Sequence, residues 1–288
     1  MSPRVGFIGL GNQGKPIAAH LAPAGFEAIV YDIAPEPVAE LVEGGATAAS
    51  TPREVGQNAE IIGICVPEDK HVLAVALGDD GLLAGMKPGG VVLIHSTVLP
   101  ETIDTVASAA AKRDIEVMDA CVTGGAIRAA ARELTYLIGG STEALEKALP
   151  YLEATTDVNP IHAGELGSGA KLKLCINLIT YIQWAAAYES MHLARAIGLP
   201  QEVLEEAGRS NGQLTSMMTA FLGTHKAPEE VRASEDFQAV MRRNMQIAEK
   251  DLAWALQLAR QSDISLPVGG LVAQSMARLY GVNDEGRR

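Results

Sequence analysis

"RVGFIGLGNQG", residues 4–14, decides the fold. Its first half is rich in Val, Phe and Ile, the make-up of a buried strand. Its second half sets Gly9, Gly11 and Gly14 in the G-x-G-x-x-G spacing. The segment that follows, "KPIAAHLAPAG", reads as a helix ending near Gly25. Strand, glycine turn and helix in that order open a dinucleotide-binding βαβ unit. Gly9 permits the tight turn, Gly11 lets the backbone approach a pyrophosphate, and Gly14 lets the helix pack close to the strand. The free N–H groups at the helix start offer a positive dipole end to the phosphates. Leu10, Asn12 and Gln13 complete the loop as candidate cofactor contacts.

The next strand, "EAIVYD", closes on Asp32, 18 residues beyond Gly14. A carboxylate there accepts hydrogen bonds from the ribose hydroxyls of NAD. It repels the 2′-phosphate of NADP, and Ile33 supplies no arginine to bind one. NAD is therefore the expected cofactor, ahead of NADP.

Outward from this unit, strand-like and helical runs alternate. "EPVAELVEGG" reads as a helix, and "EIIGICV", "GGVVLIHST", "IEVMDACV" and "LTYLIGG" read as strands. Strict alternation predicts an α/β, Rossmann-type, doubly wound parallel sheet with helices on both faces. The pattern changes after about residue 163. From Gly169 to about Ile197 the apolar residues recur at helical spacing without a proline, roughly twice the mean helix length. The remainder to Tyr280 is helical and punctuated by Pro200, Pro228 and Pro267. The predicted domains are residues 1–163, which bind NAD, and residues 164–288, an interdomain helix plus an all-helical substrate and oligomerisation domain. The tail "GVNDEGRR", residues 281–288, is expected to fray.

The chain has 288 residues, a formal net charge of −12 and no Lys/Arg block. That balance argues against a nucleic-acid groove or an anionic membrane surface. No run of 18 or more residues lacks polar groups, so no transmembrane span is expected. A glycine motif interrupts the first apolar run, unlike a signal peptide. Cys65, Cys121 and Cys175 are odd in number and far apart, and the six histidines form no ligand spacing. No metal and no disulfide framework is predicted, and a reduced cytoplasmic location is expected.

Five stretches in order, "GFIGLGNQG", "CVP", "HST", "DACVTGG" and "GSGAKLKLCIN", with "EKDLAWAL" near the end, resemble the β-hydroxyacid dehydrogenases. That group contains 3-hydroxyisobutyrate dehydrogenase and tartronate semialdehyde reductase. The resemblance covers nearly the whole chain. It implies a Rossmann-type domain, a long interdomain helix, a helical second domain, and hydride transfer between a 3-hydroxy acid and NAD or NADP. Its cofactor pattern falls on Val66, Pro67, His71, Thr97 and Lys250. Its substrate-carboxylate loop falls on Thr123, Gly124 and Gly125. Its catalytic lysine falls on Lys173, with Asn177 as companion. The sequence departs from the family at Cys121 and Thr123, where proline and serine are usual, and at Arg128 and Arg132, where glycines are usual. The related 6-phosphogluconate enzymes carry histidine where Ile176 stands, and their chains are longer.

"GAKLKLCINL", residues 169–178, holds two lysines. Helical residues turn by about 100° each, so Lys173 and Asn177, four apart, share a face, whereas Lys171 points roughly 200° away. Only Lys173 can work beside Asn177. An ammonium can give a proton to a carbonyl during reduction, and a neutral amine can take one from an alcohol during oxidation. Burial in a cleft lowers a lysine's pKa and brings both roles near neutral pH. Asn177 can aim the ammonium or hold the substrate hydroxyl. The Thr123 loop can offer two backbone N–H groups and a hydroxyl to a carboxylate. Arg128, three residues beyond it, can clamp a second anionic group, or can line a solvated helical face with Arg132. A solvated Lys250–Asp251 pair is the alternative to a cofactor role for Lys250.

The resulting expectation is an NAD-dependent dehydrogenase or reductase of a small 3-hydroxy acid or its semialdehyde, with the substrate between the domains. An imine reductase on the same architecture and a catalytically idle NAD-binding protein are the rivals. Apolar residues on more than one helical face predict a homodimer or homotetramer.

Overall fold

The structure is a computed structural model that describes residues 4–284. The chain separates into two compact units, Met1–Lys173 and Leu174–Arg288.

In the first unit, one eight-stranded sheet is formed by β1 (Arg4–Ile8), β2 (Glu27–Tyr31), β3 (Thr47–Ala48), β4 (Ile61–Ile64), β5 (Val91–Ile94), β6 (Glu116–Thr123), β7 (Thr135–Gly139) and β8 (Ile161–Gly164), ordered β3-β2-β1-β4-β5-β6-β7-β8. Around it run α1 (Gly14–Ala18), α2 (Pro35–Glu43), α3 (Pro52–Asn58), α4 (Asp69–Leu77), α5 (Leu82–Gly85), α6 (Pro100–Ala111), α7 (Gly125–Ala130) and α8 (Thr142–Thr155). The strands β1, β4 and β5 are mostly buried Val, Ile, Leu and Phe, and β6 is buried from Val117 to Val122, as strands covered on both faces must be. From β3 to β6 every pairing is parallel. The turns after β1, β2, β4, β5 and β6 therefore lie on one edge of the sheet, where ligands of such folds bind.

Three expectations change. The sheet is not wholly parallel, because β7 runs antiparallel to β6. Only residues 124–134 join them, fewer than the dozen or more that a parallel crossover needs. The strands β3 and β8 had no signal. β3 has two residues, and β8, "IHAG", is an exposed edge strand without apolar alternation. The helix after the glycine loop is regular only to Ala18. Beyond it, His20 and Leu21 donate to carbonyls three residues back, and Pro23 has no N–H with which to continue the ladder.

Helix α9 (Ser168–Ala196) runs 29 residues, close to the span read from the sequence. The second unit adds α10 (Gln201–Ser210), α11 (Ser216–Thr224), α12 (Glu229–Arg232), α13 (Glu235–Gln261), α14 (Pro267–Gln274) and α15 (Met276–Leu279). Its core joins Tyr188, Met191, Phe221, Met245, Leu252 and Met276. The expected fraying of residues 281–288 does not start at Gly281. Gln238 takes a hydrogen bond from Asn283 N–H at 2.9 Å and donates to the Gly281 carbonyl at 3.0 Å. Residues 285–288 lie outside the described residues.

Beneath the first unit's sheet, His95 is buried between Phe7 and Tyr151, with Nδ1 2.8 Å from the Ala120 carbonyl and Nε2 3.0 Å from the Tyr151 hydroxyl. Burial drives its pKa down to about 4, against the opposing pull of the Ala120 carbonyl. The unfolded chain then binds the extra proton first, so stability is complete above pH ~6.5 and falls as the pH drops toward 4. The full loss is about 3 kcal/mol. His225 in the second unit, also lowered to about 4, adds its own share. Urea unfolding between pH 6.5 and 4 should show this slope in the wild type and a clearly shallower one in His95→Gln. Parallel slopes in the two proteins would show that His95 does not titrate this way.

Candidate functional site

The glycine loop and Asp32 form one hydrogen-bonded unit. Gly9 has φ +94° and donates to the Tyr31 carbonyl at 3.0 Å. A Cβ on Gly9 would run into the Cys65 carbonyl, and one on Gly14 would run into the Gly9 carbonyl. Both positions need glycine for closeness. The Asp32 carboxylate accepts from Leu10 N–H through one oxygen and from Ala34 N–H at 2.8 Å through the other. It therefore holds the loop in shape from the end of the neighbouring strand. Ile33 is 90% exposed beside it.

The other expected cofactor residues of the first unit follow strand ends on the same edge. Val66 N–H donates to Ser96 Oγ at 2.8 Å, which ties the turn after β4 to the turn after β5, where Thr97 stands half-buried. Pro67 is exposed and His71 sits in the first turn of α4. A dinucleotide fits this edge. A Cβ on Gly11 would meet nothing within 4 Å, so the loop faces open space. Gln13 Nε2 and His71 Nδ1 are buried polar atoms with no hydrogen-bond partner within the protein among the described residues.

Strand β6 ends at Thr123, and Gly124 and Gly125 lead into α7. Gly124 and Gly125 have φ of +131° and +75°, backbone conformations that favour glycine. Gly125 is exposed, with open space where a Cβ would stand. The stem of Arg128 lies across Gly124, since a Cβ there would stand 3.2 Å from Arg128 Cβ and Cδ. The Arg128 Nε stands 3.6 Å from the Glu133 carboxylate, both side chains being about half exposed. Arg132 does not share a helical face with Arg128. Helix α7 ends at Ala130, Arg132 has φ +59°, and its guanidinium pairs with Asp157 and with the carbonyls of Glu153 and Ala154. It closes the end of α8.

Four residues before the loop, Asp119 is 0% exposed in mid-strand. Its two oxygens accept from Gly167 N–H at 2.7 Å and Ala170 N–H at 2.6 Å, at the origin of α9. Burial raises its pKa, and these N–H donors pull it back. Further along α9, Lys171 is exposed and Lys173 half-buried, as their opposite helical directions require.

In the second unit, Asn177 and Lys250 meet at a buried carboxylate. Asn177 Nδ2 donates to Asp251 Oδ2 at 2.6 Å, and the Tyr181 hydroxyl donates to the same oxygen at 3.2 Å. The Lys250 ammonium stands 2.9 Å from Asp251 Oδ1 as an ion pair. The Lys250 and Asp251 side chains are 15% and 2% exposed, so this pair is buried rather than solvated. With its NH2 group committed to Asp251, Asn177 has its Oδ1 held as an acceptor. That suits it to receive a hydrogen bond from an ammonium or a hydroxyl. Asp119, Asp251 and Tyr181 were not singled out as functional residues in the sequence. The only signal for the two aspartates was a carboxylate inside an apolar strand, "VMDACV", and one inside an apolar helical stripe, "KDLAWAL"; Tyr181 had none.

Comparison with known proteins identifies the family. Residues 4–164 match the model of the NAD binding domain of 6-phosphogluconate dehydrogenase, and residues 167–287 match that of the NAD-binding region of NADP-dependent 3-hydroxyisobutyrate dehydrogenase. Two Pseudomonas aeruginosa proteins are similar along nearly all of the chain. The NAD-dependent L-serine dehydrogenase is 37% identical, covering 96% of this chain and 91% of its own. The 3-hydroxyisobutyrate dehydrogenase is 33% identical, covering 97% and 93%. The crystal structure of 3-hydroxyisobutyrate dehydrogenase from Salmonella typhimurium superposes with a TM-score of 0.83 at 26% identity, covering 96% of this chain and 94% of that one. The chain belongs to the β-hydroxyacid dehydrogenase family.

Proposed function

We propose that this oxidoreductase moves a hydride between NAD and a small 3-hydroxy acid, or its semialdehyde, with Lys173 as the proton donor and acceptor. The observation that carries the reading is the half-buried Lys173 on α9, beside an exposed Lys171, with the helix start tied to the strand that ends in the Thr123 loop. NAD supplies or accepts the hydride. The glycine loop from Gly9 to Gly14, Asp32, Val66, Pro67, His71, Thr97 and Lys250 serve to hold it. The N–H groups of Gly124 and Gly125 and the Thr123 hydroxyl receive the substrate carboxylate. The Lys173 Nζ hydrogen-bonds the alcohol or carbonyl oxygen and exchanges a proton with it. Asn177, aimed by Asp251, accepts from the ammonium or the substrate hydroxyl. An imine reductase lacks this use of a lysine and favours NADPH, so Lys173 and Asp32 both speak against it. A panel of hydroxy acids, including L-serine and 3-hydroxyisobutyrate, separates an active dehydrogenase from an idle NAD-binding protein.

The same reading assigns residues 1–163 to NAD binding and residues 164–288 to the interdomain helix, substrate and oligomer. Exposed Leu193, Ile197 and Leu271 support a homo-oligomer. No helix among the described residues is long and apolar enough to cross a membrane, and a cytoplasmic location remains part of the proposal.

Asp32 should favour NAD over NADP by at least ~10-fold in kcat/KM, about 1.4 kcal/mol. The double variant Asp32→Ser with Ile33→Arg should erode that preference. Equal use of both cofactors by the wild type would sink the assignment.

Lys173→Ala should lose at least ~100-fold in kcat with little change in NAD affinity, whereas Lys171→Ala should stay near wild type. Equal losses in the two variants would refute the helical-face assignment.

Arg128 lies against the carboxylate loop, where it can read a second anionic group of the substrate. Arg128→Ala should raise KM for such a diacid by ~10-fold, about 1.4 kcal/mol, and spare simple monoacids. A small, uniform effect across the panel would leave Arg128 as a surface partner of Glu133.

A further inference from the structure

A helix normally begins with a residue whose own side chain receives its first free N–H groups. Helix α9 cannot do this. The Gly167 carbonyl accepts the first helical bond, from Lys171 N–H at 3.1 Å, so Gly167 is the cap position. Its φ is +86° and it has no side chain. The missing acceptor comes from 48 residues earlier in the chain, where the buried Asp119 carboxylate takes Gly167 N–H through one oxygen and Ala170 N–H through the other. The fit is close. A Cβ on Gly169 would run into the Leu137 carbonyl and stand 2.9 Å from Asp119 Oδ2, and one on Gly139 would run into Asp119 Oδ1. The β6 carboxylate is thus held close between β7 and the start of α9.

We infer that Asp119 is a positioning residue for the reaction: by clamping the origin of α9 to β6, it sets the distance between Lys173 and the Thr123–Gly125 loop. The inference rests on the assignment of Lys173 as the proton donor and acceptor. Lys173 lies three residues past Ala170, one of the two clamped amides, and Thr123 lies four residues past Asp119 on the same strand. One side chain therefore references both ends of the substrate to a common strand. Displacements near 1 Å in such a geometry cost on the order of 100-fold in rate. The first-unit residues assigned to the cofactor make none of these contacts, so cofactor affinity should change far less than kcat.

The test uses the full-length enzyme and the best substrate from the hydroxy-acid panel. Asp119→Asn leaves a single oxygen and turns an NH2 group against one of the two N–H donors. It should lower kcat per cofactor-binding site by ~10- to 100-fold, change the NADH dissociation constant little, and raise the solvent deuterium isotope effect on kcat as proton transfer becomes limiting. Amide hydrogen exchange over residues 168–174 should accelerate in the same variant. If Asp119→Asn does not fold, Gly167→Ala serves instead. Its Cβ would meet only Pro100 Cβ at 3.6 Å, so it strains the helix origin without a clash and should show the same pattern to a smaller degree. Wild-type kcat per site and an unchanged isotope effect, with only a lower Tm, would overturn the positioning role. Full kcat in Lys173→Ala would instead remove the reading on which it rests.

Discussion

The hydrogen bonds from Gly167 and Ala170 to Asp119 are the constraint on which the functional geometry depends. A carboxylate with no exposure to water is costly unless its oxygens find donors. The two amides are costly to bury for the same reason, because a helix start has no partners of its own. Each side of the contact satisfies the other, and a helix dipole's positive end meets a negative charge. Removing either partner would leave a buried polar group unpaired, at a cost of about 1–3 kcal/mol or more. The junction between sheet and long helix is therefore stiff at the point from which Lys173 projects.

A second buried carboxylate organises the helical unit in the same manner. Asp251 collects Asn177, Tyr181 and Lys250. Such a cluster rarely adds net stability over apolar packing, since desolvation offsets the attraction. What it does supply is direction. An amide whose nitrogen is committed to a carboxylate can present only its oxygen elsewhere, so the hydrogen-bonding sense of Asn177 is determined by a residue 74 positions away. In each unit the catalytic candidates come from one element and their orientation from another.

Much of the fold was legible because it rests on local rules. The glycine spacing, the apolar runs of β1, β4, β5 and β6, and the unbroken helical period of α9 can each be read in a window of a few turns. The exposed Lys171 and half-buried Lys173 follow from helical rotation alone. Where expectation and structure part, a non-local or subtle cause is at work. The antiparallel β7 follows from a connection too short for a crossover. The strand β8 pairs through its backbone, with side chains that carry no strand signal. Arg132 leaves the helical face because the chain takes a positive φ there and its guanidinium closes the end of α8.

The sequence by itself determined the nucleotide-binding start, the parallel core, the long helix and which lysine faces Asn177, because periodicity and glycine spacing act between near neighbours. It also carried the acidic residues at 119 and 251, marked only by their apolar neighbours. Only the tertiary structure decided that Asp119 caps a helix 48 residues away and that Asp251 aims an amide 74 residues away. A buried carboxylate acquires its meaning from the donors that fold around it, and those donors are brought together by packing rather than by spacing along the chain.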